Sequence, residues 1–227
     1  MQPKTIRMRI KILNAILFIA VVIVNYLATA LPINGKTTGE LSDQFINLFV
    51  PAGITFAIWG LIYLLLLIFS GLQFKSGFQS FLSENYLFVN SCVLNIYWII
   101  CWHYEQVFLS LLIMIGLLII LTMINLNLAE EKNEFLKIVF GVYLGWIFIA
   151  TIANATALLV SSNWGGWGFD EVTWTIVMIA SGIVVASVNM IRLNNPYIAI
   201  AVIWAFNGII LKRSVDHPSI VLAAQIA

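Results

Sequence analysis

Apolar residues run along this chain in long, nearly unbroken blocks, and every Lys, Arg, Asp and Glu falls at the end of a block or between two blocks. The blocks are about twenty residues long, the length an α-helix needs to cross a hydrocarbon layer of roughly 30 Å. A transmembrane barrel strand would instead alternate apolar and polar positions over about ten residues. Backbone groups in hydrocarbon must be satisfied within the segment, so the blocks predict helices. Seven are expected, at 12–31, 51–72, 86–103, 107–128, 135–160, 172–191 and, rather short, 196–211. The joints are a polar loop from Pro32 to Asn47, the AEEKNE turn, the SSNWGGWGFDE loop and the turn Asn194-Asn195-Pro196. That proline suits a first helical position, where no donor is needed. After Lys212-Arg213 the tail HPSIVLAAQIA begins like a helix but stops too soon to cross. The expected fold class is all-α: a polytopic membrane bundle of about seven transmembrane helices.

Composition agrees with that pattern. Apolar residues make up 62% of the 227 positions and charged ones only 9%, against about a quarter charged in a soluble domain. A basic start, MQPKTIRMRIK, precedes the first block, and Ala28-Thr29-Ala30 resembles a signal-peptide cleavage site. The block is nearer a full span than a short signal core, which favours a retained helix. With alternating helices, Lys4, Arg7, Arg9, Lys11, Lys75, Lys132, Lys137 and Arg192 fall on one side, and only Lys36, Lys212 and Arg213 on the other. The excess places the N-terminus in the cytoplasm, and the protein in the cytoplasmic membrane if the cell is bacterial.

Several functions are disfavoured. Net charge is +1, which gives no electrostatic case for nucleic acid. Cys92 and Cys101 share one predicted helix about 13 Å apart, too far to bridge. With only His103 and His217, a metal site is not expected. No Asp, Glu, Lys or Arg lies deep in a predicted span, which argues against pumps and ion-coupled transporters. No mid-span lysine is available to hold retinal, and no Walker loop, nucleophile elbow or HExxH is present. The pair Glu130-Glu131 reads as a solvated turn, and His103 as a wetted helix end. Trp164 and Trp167 read as interfacial anchors, with a pocket lid as the alternative. Gly141 with Gly145, and Gly182 with Ala186, allow close helix approach, read as packing within the chain before dimerisation.

The remaining chemistry is aromatic and amide. Ala52, Phe56, Trp59 and Tyr63 share one face of the second predicted span, and Ser91, Asn95, Trp98 and Trp102 share one of the third. On the fifth, Tyr143, Trp146, Ala150 and Asn154 (or Ala153) line another. Tryptophan usually occupies the interfacial belts, yet Trp59, Trp98 and Trp146 lie about a third of the way or more into their helices. Two readings stay open: packing aromatics with amides bonding between helices, or walls of a pocket for a flat, mostly apolar ligand.

Those faces carry a resemblance. PAGITFAIWGLIY from Pro51 to Tyr63 resembles the second-helix signature of the translocator protein / tryptophan-rich sensory protein (TspO) family. LNIYW from Leu94 to Trp98 is similar to its third-helix pattern, and VYLGWIFIATIAN from Val142 to Asn154 to its fifth. The family's double proline is here Pro51-Ala52, and a proline usual before the fifth-helix Tyr is Val142. The resemblance covers roughly Leu13 to Val160. It implies a five-helix TspO-like bundle over 1–161, with 162–227 adding two transmembrane helices and a short tail. It also implies a pocket open toward the first loop, porphyrin, sterol or synthetic aromatic ligands, and a homodimer. Phe56, Trp59, Tyr63, Asn95, Trp98, Tyr143, Trp146, Ala150 and Asn154 are the expected ligand-binding residues. Trp59 and Trp146 match tryptophans associated with porphyrin binding and chemistry. The expected partners are membrane lipid and a lipophilic small molecule, with no required cofactor and a tetrapyrrole as candidate ligand. Two alternatives remain: an accessory membrane subunit, and an enzyme acting on a lipophilic substrate such as porphyrin, with Tyr63, Tyr143 and His103 as the few groups able to move a proton.

Overall fold

The computed structural model describes residues 4–31, 33–76, 78 and 80–227. Pro32, where the first loop was expected to start, and the first three residues of the basic leader lie outside the described residues. The described residues form α-helices and short 3₁₀ turns, with no strand. In chain order the helices are α1 (Lys4–Ala30), α2 (Thr38–Gln44), α3 (Ile58–Leu72), α4 (Leu87–His103), α5 (Val107–Leu128), α6 (Glu134–Ser161), α7 (Glu171–Arg192), α8 (Ile198–Arg213) and α9 (Pro218–Ile226). Five segments are long and apolar enough to cross a membrane: Lys4–Gly35, Gly53–Leu72, Val107–Leu128, Glu134–Ser161 and Glu171–Arg192. The third and seventh expected spans form shorter helices of 17 and 16 residues. The tail helix α9 has nine residues and is too short to span, as its sequence indicates.

One apolar core runs through the bundle, from Phe18 on α1 to Ala224 on α9. At its centre lies α6, buried on nearly every face from Val139 to Ile149, which is why its apolar residues show no single stripe. Small residues let α8 come close to it. A Cβ on Gly141 would meet the Asn195 amide 2.6 Å away, and one on Gly145 would overlap the Ile198 carbonyl. The glycine pair therefore serves packing within the chain. Asn195 closes the junction, donating to Asn125 Oδ1 at 2.7 Å and to the Lys137 carbonyl at 2.9 Å. Pro196 sits in the turn before α8 rather than in its first turn, because Asn195 Oδ1 accepts from Tyr197 N and shifts the helix start to Ile198.

The second predicted span starts differently from expectation. Ala52 is extended (φ −60°, ψ 146°), Gly53–Ala57 is a 3₁₀ turn, and the α-helix begins only at Ile58. Helix α8 takes this backbone for itself: Ala52 N donates to the Gly208 carbonyl at 3.0 Å, and Trp204 Nε1 to the Thr55 carbonyl at 2.7 Å. Ala52 therefore does not share a helical face with Phe56, Trp59 and Tyr63.

Candidate functional site

Trp59, on the first turn of α3, is the hub of an aromatic cluster. It stacks on Tyr63 at 5.4 Å between centroids and on Trp98 of α4 at 6.0 Å. Its edge contacts reach Tyr143 and Trp146 of α6, both at 6.1 Å. Phe56 meets Trp146 edge-to-face at 6.1 Å. The stack continues from Trp98 to Trp102 at 6.5 Å, and Phe45 tilts against Trp102 at 5.6 Å. The three faces read from helical spacing thus converge.

Polar groups behind the rings fall into two classes. Some are satisfied: Asn95 donates to the Tyr143 hydroxyl at 3.1 Å and accepts from Asn25 at 2.9 Å, and Ser110 donates to Asn154 at 3.0 Å. Others are not. Tyr63 Oη, Trp98 Nε1 and Trp146 Nε1 are buried with no hydrogen-bond partner. An unpaired buried donor costs about 1–3 kcal/mol; Thr55, Ser70 and Gln73 carry others elsewhere in the core, and what distinguishes this cluster is that three converge on one indole.

Two hollows flank Trp59. The inner one has a volume of about 50 Å³ and is lined by Phe56, Trp59, Trp98, Trp102, Trp146, Ala150 and Asn154, beneath Thr38, Ser42 and Asn47. The outer one is a groove of about 610 Å³ between α1 and α3, bordered by Asn25, Tyr26, Phe56, Trp59 and Tyr63. Phe56, Trp59 and Thr38 border both.

The segment before α3 covers the inner hollow. Its helix α2 is started by Thr37, whose hydroxyl accepts from Glu40 N at 3.3 Å while the Glu40 carboxylate accepts from Thr37 N at 2.7 Å. The carboxylate also accepts from Thr37 Oγ1 at 2.9 Å, and the two donations to it, from Thr37 N and Thr37 Oγ1, hold the Glu40 carboxyl below the usual carboxylate range. On one side His103 fixes the cover through Ile33 O at 3.1 Å and Thr38 Oγ1 at 3.0 Å, and Lys36 pairs with Glu105 at 2.6 Å. From α8, Arg213 donates to the carbonyls of Leu48 at 3.0 Å and Asn47 at 2.8 Å, and Lys212 pairs with Asp43 at 3.3 Å.

The sequence model of one protein family, described as TSPO-like protein, matches residues 11–227. This chain belongs to the TSPO-like protein family. The match runs without a break through α7, α8 and α9. Searches of curated proteins and of solved structures found no match. The family and the five long apolar segments make this TSPO-like chain an integral membrane protein.

Of the nine residues expected to bind ligand, Phe56, Trp59, Trp98, Trp146, Ala150 and Asn154 line the inner hollow, and Tyr63 lines the groove with Phe56 and Trp59. Asn95 and Tyr143 line neither and bond to each other. His103 of this TSPO-like protein is fully buried, which corrects its reading as a wetted helix end: the loop at 33–38 folds over it and occupies both ring nitrogens. Sequence reasoning missed α2 and the cover it forms. The spacing Thr37-x-x-Glu40 is a capping-box signal that would have found the helix. No local signal points from Arg213 to Asn47.

Proposed function

We propose that this TSPO-like membrane protein binds a flat lipophilic ligand bearing hydrogen-bond acceptors, such as a tetrapyrrole, against Trp59, for sensing or transport. The observation that carries this reading is the trio of buried, unpaired donors Tyr63 Oη, Trp98 Nε1 and Trp146 Nε1 around one indole. An acceptor-bearing guest would relieve their cost, at Tyr63 from the groove and at Trp98 and Trp146 through a substituent that enters the inner hollow. Size decides the hollow. Ligand pockets run from about 300 to 1,000 Å³, so the 50 Å³ cavity is too small and the 610 Å³ groove is in range. The ligand's ring system lies in the groove, and the inner hollow takes no more than an edge or a substituent. The basic ends of α1, α3 and α7 face the cytoplasm in this reading.

The ring-on-ring packing of Trp59 favours a second reading, an aromatic core that only joins helices. Titration of protoporphyrin IX into detergent-purified protein, read by tryptophan emission and porphyrin absorbance, separates the two. Saturable quenching is expected, weakened tenfold or more in Trp59→Phe and Tyr63→Phe. Quenching that survives both substitutions unchanged leaves the packing reading. Mass spectrometry of the porphyrin after light and dark incubation then distinguishes a binder from an enzyme.

A further inference from the structure

A third hollow, of about 450 Å³, lies away from Trp59 between the end of α6, the start of α7 and the segment at 46–49. Its walls are Trp164, Trp174 and Phe169, and its polar groups include the carboxylates of Asp170 and Glu171. Trp164 and Trp174 stand at 61° with centroids 4.9 Å apart, and Phe169 stands edge-on to Trp174 at 6.2 Å. Trp174 Nε1 donates to the Gly166 carbonyl at 2.8 Å, which ties the loop to the wall.

The loop is held at some cost. Gly166, Trp167 and Gly168 have φ values of 64°, 50° and 84° in succession. Glycine takes such angles freely, but a residue with a Cβ pays about 1–3 kcal/mol. The strain holds the Trp167 ring 80% exposed, beside Trp164 at 5.5 Å and Trp174 at 5.8 Å.

Charge at the hollow has one sign. No Lys, Arg or His lines it, and neither Asp170 nor Glu171 joins an ion pair among the described residues. Arg213 interacts electrostatically with Glu171, but its guanidinium is already bonded to the Leu48 and Asn47 carbonyls. Asp170 accepts from Thr173 N at 2.8 Å, and its hydrogen bonds to Thr173 hold its carboxyl below the usual range, so it is an anion at neutral pH. Anions are repelled here. A hard metal ion wants six or more oxygen ligands, and no cluster of three metal-ligating side chains exists among the described residues. A soft, bulky cation gains both from aromatic faces and from the carboxylates, and the volume lies in the range of ligand pockets.

We infer that the hollow walled by Trp164, Phe169 and Trp174 and charged by Asp170 and Glu171 is a binding site for an organic ammonium group, quaternary by preference. Its position at the ends of α6 and α7 admits two sources, a zwitterionic lipid headgroup or a free soluble amine. The site is independent of the Trp59 cluster.

The test uses the full chain in a neutral maltoside detergent, with tryptophan emission as readout. Choline chloride is titrated against its uncharged isostere 3,3-dimethylbutanol. In a second arm, nanodiscs of phosphatidylcholine are compared with nanodiscs of phosphatidylglycerol. A saturable response to choline but not to the isostere assigns a soluble amine. A response in phosphatidylcholine nanodiscs alone assigns a lipid headgroup. In either case Glu171→Gln, which leaves the Asp170 helix cap intact, is expected to weaken the response at least threefold, and Asp170→Asn with Glu171→Gln at least tenfold. Equal responses to choline and isostere, no response in either arm, or a response unmoved by Glu171→Gln in a protein of unchanged thermal stability would overturn the assignment.

Discussion

Trp59 lies over Trp98 with their planes 29° from parallel and their centroids 6.0 Å apart, joining the first turn of α3 to the middle of α4. The same indole separates the inner hollow from the groove. Trp59→Ala is expected to merge the two spaces. Complete burial of a tryptophan would put the loss near 3–5 kcal/mol, and the half-buried Trp59 belongs at or below the lower end of that range. Chemical unfolding in detergent measures it.

Tyr63→Phe should act in opposite directions on stability and binding. Its hydroxyl is buried without a partner, so its removal relieves a desolvation cost of about 1–3 kcal/mol. The melting temperature should hold or rise while porphyrin affinity falls. A clear drop in melting temperature would mean that the hydroxyl is paired.

Gly145→Ala puts a methyl into the Ile198 carbonyl, with backbone on both sides. Overpacking of this kind costs about 1–3 kcal/mol. Gly71 is the control: it is exposed, lies in α3 and has nothing within 4 Å of its added Cβ, so Gly71→Ala should stabilise by about 0.5–1 kcal/mol. Thermal unfolding of the two variants should shift in opposite directions.

Arg213→Ala removes the guanidinium bonds to Asn47 and Leu48. Hydrogen exchange across 45–50 should accelerate while α5 stays protected. Arg213→Lys should restore little, because an ammonium on a flexible stem does not reproduce a planar fork.

The cover over the inner hollow should loosen in acid. The Glu40 carboxyl sits below its ordinary value through its bonds to Thr37. Its contribution to α2 is therefore complete above the ordinary carboxylate range and is lost as pH falls through the lowered value. Exchange of the amides in 38–44 should rise in that acid window, and in Glu40→Gln it should be raised already at neutral pH and vary less with acid.

Where local physics decided the fold, the sequence was legible. The fourth predicted span coincides with α5 at Val107–Leu128, and the ends of α4, α6 and α7 fall within a residue of expectation. Helical spacing also found the faces that carry Trp59, Trp98 and Trp146, because side chains three and four apart share a face whatever surrounds them. Distant partners decided the rest. The helix at Pro51 became a 3₁₀ turn because Trp204 and Gly208 claim its backbone. His103 looked solvated because it borders Tyr104 and Glu105, and its burial depends on a loop some seventy residues earlier. The size of the inner hollow was equally hidden, since ring stacking angles leave no trace in spacing.

The bond from Trp204 to Thr55 spans 149 residues, and that separation has a consequence for biogenesis. Chains leave the ribosome at about 5–20 residues per second, so the Thr55 carbonyl waits on the order of ten seconds for its donor. Throughout that interval the Thr55 carbonyl keeps only its local bond from Ile58 N, and the 3₁₀ turn at Gly53–Ala57 lacks the α8 contact that fixes it. A messenger truncated before codon 204 would yield a protein permanently arrested in that state, a ready substrate for membrane quality control.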